Sequence, residues 1–198
     1  MNLFTELLSL IKIDLKNSGF TKSGTSFVFK YGKNQVILNF QKSNSSSKDE
    51  VVFTVNCGIY SDMLNLKVRG ESLSKPTTID CHWQHRIGAF FNEGQDKWWT
   101  ISNPKQLKEV ADDVCADLKG RVVPTLINNC SDEKLKELFL NGKLRGTNEY
   151  MRVVYVTSLM IIDGDTRLRE TTKAMLAEVK GTSIESVVAD HLKEFKLL

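Results

Sequence analysis

From Ser26 to Tyr60 the apolar residues return at every second position. Phe27 and Phe29 alternate with Ser26, Val28 and Lys30. Val36, Leu38 and Phe40 alternate with Gln35, Ile37, Asn39 and Gln41. Val51, Phe53, Val55, Cys57 and Ile59 alternate with Val52, Thr54, Asn56, Gly58 and Tyr60. A period of two sends successive side chains to opposite faces of a strand. Tyr31-Gly32-Lys33-Asn34 between the first two runs is a hairpin turn, and SNSSSKDE before the third is a polar loop. The segment is therefore an antiparallel sheet with one apolar face, and that face needs a covering layer.

Helical periods on either side supply it. Phe4, Leu7, Leu8, Ile11 and Leu15 form the stripe of an amphipathic helix that stops at Asn17-Ser18-Gly19. Residues 62–78 show no period and read as a long connection with room for a short helix or an edge strand. Ile79 to Ile87 looks extended, Phe90 to Asp96 is a loop, and Trp98 to Ile101 is a last short strand. Ser102-Asn103-Pro104 opens a helix with Leu107, Val110, Val114 and Leu118 inward, continued by a turn over 123–129. Ser131, Thr147, Asp165 and either Thr182 or Ser183 open four more. Asn141-Gly142, Asp163-Gly164 and Lys180-Gly181 close the first three. In the last, Ile184, Val187, Val188, His191, Leu192 and Phe195 share a face. The expected fold is α+β: an N-terminal helix, an antiparallel meander sheet of about five strands, and a C-terminal helical layer or small bundle. The expected division is an α+β domain over 1–130 and a helical extension over 131–198 packed on it, unless the two form one domain.

A chain of 198 residues buries enough surface to fold without disulfide or metal. Its net charge of +3 and pI near 8.6 fall well short of a dedicated nucleic-acid binder. Cys57, Cys81, Cys115 and Cys130 form no C-x-x-C pair and sit among apolar or helical neighbours, as free thiols do in a reducing compartment. MNLFTELLSLIKIDLK has no basic start and is broken by Glu6, Lys12 and Asp14, unlike a signal peptide. The longest apolar-rich stretch, Val153 to Ile162, is far short of the roughly 20 residues that span a bilayer. These features point to the cytoplasm and away from membranes.

The densest set of reactive side chains is Asp80-Cys81-His82-Trp83-Gln84-His85-Arg86. In an extended strand Cys81, Trp83 and His85 face one way and His82, Gln84 and Arg86 the other, so the potential metal ligands are divided. Cys81 and His82 are parted in the same way and make no nucleophile–base pair. Cys57 lies on an apolar face, where a thiol is inert. Walker and dinucleotide motifs are absent. Asp112, Asp113 and Asp117 read as solvated helix charges, and Asp163-Gly164-Asp165 as a turn between helices. No catalytic residue, metal or cofactor is assigned.

Two features suggest recognition instead. Trp83, Arg86, Lys97, Trp98 and Trp99 lie close in sequence on two strands able to pair, and an Arg over a Trp makes a cation–π contact. Trp98 and Trp99 face opposite ways, and an exposed indole beside Arg86 would mark a binding site. The polar sheet face would carry Asn39, Gln41, Thr54, Asn56, Tyr60, His82, Gln84 and Arg86. That row reads either as a recognition surface or as the solvated side of a one-sided sheet.

Four segments, NFQKS (39–43), VNCGIYS (55–61), CHWQHRIG (81–88) and DKWW (96–99), together resemble the bacterial domain-of-unknown-function family 4304 over about residues 3–130. The family tends to a basic residue near Gln84, where this chain has an amide. The resemblance implies a bacterial protein of mixed α/β architecture and carries no established activity. Small bacterial families of this kind often neutralise toxins or bind other partners.

The leading expectation is a non-catalytic module that binds another protein through Asn39, Gln41, Asn56, Tyr60, His82, Arg86 and Trp98. The second is an enzyme using His82 as base, Arg86 as anion clamp and Asp96 as orienting carboxylate. The third, least favoured, is a nucleic-acid binder. The sequence does not give the oligomeric state.

Overall fold

The computed structural model describes residues 2–47, 49–91, 95–142 and 146–198. In chain order they form α1 (Leu3–Asn17), β1 (Thr21–Ser23), β2 (Ser26–Tyr31), β3 (Asn34–Lys42), β4 (Val51–Tyr60), α2 (Asp62–Arg69), β5 (Trp83–Arg86) and β6 (Trp99–Ile101). There follow α3 (Leu107–Asp117), α4 (Val123–Asn128), α5 (Asp132–Leu140), α6 (Glu149–Asp163), α7 (Leu168–Glu178) and α8 (Glu185–Glu194). Short 3-10 turns cover Thr78–Asp80, Ile87–Phe90 and Pro104–Gln106, and a π-helical turn at Leu118–Val122 joins α3 to α4. The chain divides into two compact units, Met1–Ser61 with Lys75–Cys130, and Asp62–Ser74 with Ser131–Leu198. The connection after β4 thus carries a short helix, α2, that groups with the C-terminal helices. Among the described residues no helix is long and apolar enough to cross a membrane.

In the first unit the described residues form a six-stranded sheet in the order β1-β2-β3-β4-β5, with antiparallel neighbours. The hairpin turns at Gly32, whose φ of +59° is a left-handed value that glycine adopts without cost. β1 is too short and too exposed to show as an alternating run. β6 departs from a simple meander. It pairs with β4 at Val51–Phe53, while β5 pairs with β4 at Asn56–Ile59. The two tryptophan-bearing strands therefore lie end to end along one edge of β4 and do not pair with each other.

The register sets Phe27, Leu38 and Cys57 side by side, Phe40 beside Val55, and Phe53 beside Trp99. α1 covers this face. Its stripe of Phe4, Leu7, Leu8, Ile11 and Leu15 is buried, which contributes about 1.5–3 kcal/mol per side chain. Phe53 is the hub, with ring centres 5.9 Å from Phe4, 6.3 Å from Phe40 and 5.6 Å from Trp99. α3 packs against α1 with Leu107, Ala111, Val114 and Cys115 inward; Val110 is half-buried. Asp113 and Asp117 are not idle surface charges. Asp113 accepts the Trp99 indole N–H at 2.6 Å, and Asp117 pairs with Lys97.

In the second unit α6 is buried almost all round from Arg152 to Met160. Asn148, one residue after the expected Thr147, caps it by accepting from Met151 N at 2.8 Å; Gly164 ends it in a left-handed conformation. The buried Arg152 guanidinium pairs with Glu149 and Glu178 and donates to the Phe139 carbonyl, and the buried Lys136 ammonium pairs with Asp163 and Asp165. On α8 Val188 and Leu192 are buried, whereas Val187 is exposed.

His191 lies between the rings of Tyr150 (6.3 Å) and Phe195 (5.1 Å), and its Nε2 is buried without a hydrogen-bond partner. Burial lowers its pKa from the ordinary value of about 6.5, against a smaller opposite pull from Glu194. The folded unit therefore binds fewer protons here than the unfolded chain. The resulting stability is present above pH 6.5 and is lost as pH falls below it. The melting temperature should drop as pH falls below about 6.5, and His191→Gln should flatten that drop. Identical pH profiles for the two proteins would refute this assignment.

Candidate polar recognition face

On the sheet face opposite α1 the register lines up Ser26, Asn39, Asn56 and Arg86 across four strands, from β2 to β5. Their side chains are held before anything binds. Asn39 Nδ2 donates to Ser26 Oγ at 2.9 Å and to Thr25 Oγ1 at 3.2 Å, and Asn56 Nδ2 donates to Gln41 Oε1 at 2.8 Å. Asn39 and Asn56 are half-buried; Gln41, Gln84 and Arg86 are exposed.

Arg86 closes the row. Its guanidinium pairs with Asp96 and sits 5.3 Å from the centre of the Trp98 ring. Trp98 is 37% exposed and Trp99 only 7%, so the neighbouring indoles divide between surface and core. The return of the chain after β5 creates this arrangement. A Cβ on Gly88 would fall on the Gln95 carbonyl oxygen and 2.7 Å from Lys97 N, so only glycine allows Gln95–Lys97 to lie against the 3-10 turn. The fully buried Thr54 anchors the same stretch by donating to the Lys97 carbonyl at 2.8 Å. The Lys97 ammonium pairs with Asp117 and Asp113 and lies 4.9 Å from the Trp99 ring centre. A cleft of about 220 Å³ opens beside Trp98, lined also by Phe91, Gln95 and Asp96. Part of the loop expected over Phe90–Asp96 lies outside the described residues.

Five of the seven predicted surface residues, Asn39, Gln41, Asn56, Arg86 and Trp98, thus lie on the open part of this face or at its rim. Tyr60 and His82 do not. Tyr60 is fully buried and His82 is 4% exposed, with ring centres 5.7 Å apart. His82 Nδ1 accepts the Ser61 backbone N–H at 3.2 Å. Alternation gives the side on which Tyr60 leaves β4, whereas His82 lies just before β5, and that end of the face is covered. The turn before β5 brings Cys81 so close that a Cβ on Gly58 would lie 2.7 Å from its Cβ and Sγ.

The triad considered for catalysis is also divided. Arg86 and Asp96 meet, whereas His82 lies four residues before Arg86, roughly 13 Å along an extended chain. The four cysteines are buried. Burial raises the pKa of Cys57 and of Cys81, and it pushes Cys115 up to about 12 with help from Asp14; these thiols are poor nucleophiles. Among the described residues no three His, Cys, Asp or Glu side chains gather as metal ligands.

The profile of the family described as "Domain of unknown function (DUF4304)" matches residues 11–128. The chain belongs to the DUF4304 family. The match spans the C-terminal part of α1, the whole sheet and the helices through α4. No curated protein and no solved structure matches the chain. In this DUF4304 chain the four motif segments meet in space. Asn39 and Gln41 sit in the polar row, Gly58 receives Cys81, Gly88 receives Gln95–Lys97, and Asp96 and Trp98 hold Arg86. Sequence reading missed Gly58, Gly88 and Asp113, whose roles depend on residues distant in the chain; the glycine inside VNCGIYS and the glycine closing CHWQHRIG were the available signals.

Proposed function

We propose that this DUF4304 protein is a non-catalytic module of the bacterial cytoplasm that binds another protein, in the manner of immunity or other partner-binding proteins. Asn39, Gln41, Asn56, Arg86 and Trp98 form its contact surface. The observation that carries the reading is Arg86 lying over the exposed Trp98 at the end of a row of amides already hydrogen-bonded to neighbouring side chains. Trp and Arg dominate binding energy at protein interfaces. Side chains fixed in advance lose less entropy when a partner arrives. The buried thiols support a reducing compartment, and a bacterial source is what the resemblance of the four motif segments implies.

The test is affinity purification of the full chain from its host, followed by native mass spectrometry, for the wild type, Arg86→Ala, Trp98→Ala and a control, Ile13→Ser on the exposed side of α1. A protein held at fixed stoichiometry by the wild type and the control, and lost from both face variants, is the expected result. Retention of that protein by Arg86→Ala and Trp98→Ala would place the interface elsewhere.

A further inference from the structure

We infer that the surface meeting this face is an acidic protein surface, with a carboxylate taking the place of Asp96 on Arg86. The inference rests on the docking role proposed above and goes further by naming the chemistry of the partner. Among the described residues no strand of the sheet contains an Asp or a Glu. Lys22, Lys30, Lys42 and Arg86 are its charged residues, and Lys30 and Arg86 leave on the polar face. The formal net charge of +3 also belongs to this unit, because the basic and acidic residues of the second unit cancel. Asp96 comes from the returning chain, is itself exposed, and engages the guanidinium through one oxygen. An arriving carboxylate finds a guanidinium with further N–H donors to offer, held over the Trp98 ring.

The amides favour a polypeptide over a nucleic-acid backbone. The Asn56–Gln41 pair uses one amide oxygen and one amino hydrogen, and so leaves one carbonyl oxygen and further N–H groups open. An open carbonyl oxygen needs a donor. Peptide groups supply donors as well as acceptors, whereas backbone phosphates offer acceptors alone. The surface of donors and acceptors beside Arg86 fits an acidic polypeptide.

The experiment is a titration of the ¹⁵N-labelled full chain, followed by two-dimensional NMR, with three probes: acetylated hexaglutamate, acetylated hexalysine and a twelve-residue oligothymidine. Hexaglutamate should shift the Trp98 indole N–H and the side-chain amides of Asn39, Gln41, Asn56 and Gln84. Arg86→Gln should weaken that binding about tenfold. Asp96→Asn should strengthen it about twofold to threefold, since it removes the competing carboxylate. These opposite signs separate recognition from general damage, which would weaken binding in both variants. Shifts produced by hexalysine alone, or by no peptide, overturn the acidic partner, and the docking role then stands or falls on the purification experiment. Shifts by oligothymidine without hexaglutamate overturn it in favour of a nucleic acid.

Discussion

Gly88→Ala should lower the melting temperature of the first unit by roughly 10 °C and detach Trp98 from Arg86. The added methyl would meet backbone atoms of Gln95, Asp96 and Lys97, which cannot rotate aside as a side-chain end can. Overpacking of this kind costs about 1–3 kcal/mol. Displacing Lys97 also breaks its carbonyl's bond from the fully buried Thr54 hydroxyl, worth about 1 kcal/mol more. At roughly 2–4 °C per kcal/mol for a protein of this size, the two together give the stated shift. Because Asp96 and Trp98 flank the displaced residue, partner binding should weaken too, although Gly88 is itself buried. Circular dichroism melts and the Trp98 indole resonance read the two effects separately. A melting point within about 2 °C of wild type, no more than the shift of one kcal/mol, would show that the close approach is not needed.

Phe53→Ala should cost about 3–5 kcal/mol, the range for deleting a fully buried aromatic ring. Phe53 touches rings from α1, β3 and β6, and its stack on Trp99 helps to hold the short β6 against β4. Phe53→Leu keeps most of the volume and should cost less than about 1.5 kcal/mol. Urea unfolding of the pair measures the difference. Equal losses in the two variants would mean that the cost is not that of a cavity, and the hub role would fail.

Much of this architecture was legible in the residues. The helical stripe of α1 appears at its expected positions because an amphipathic helix needs only its own sequence and an apolar surface to lie on. The alternation in β2, β3 and β4 gave the two faces of the sheet, including the polar row through Asn39, Asn56 and Arg86. It could not show that β1 exists, since three exposed polar residues carry no period. Nor could it show that Asp113 and Asp117 serve Trp99 and Lys97, because a carboxylate on a helix looks the same whether its partner is water or an indole.

The candidate site divides along the same line. Local sequence determined which side of a strand Tyr60 and Arg86 leave from, because pleating follows from the geometry of neighbouring residues. It also determined that Trp98 and Trp99 face opposite ways. Only the tertiary structure decided that Tyr60 and His82 are buried, that Trp98 is the open indole, and that Arg86 meets Asp96. Those outcomes depend on Cys81 reaching Gly58 and on Gln95–Lys97 reaching Gly88. Both are contacts of backbone shape between segments that pair by closeness in space, for which no local period exists.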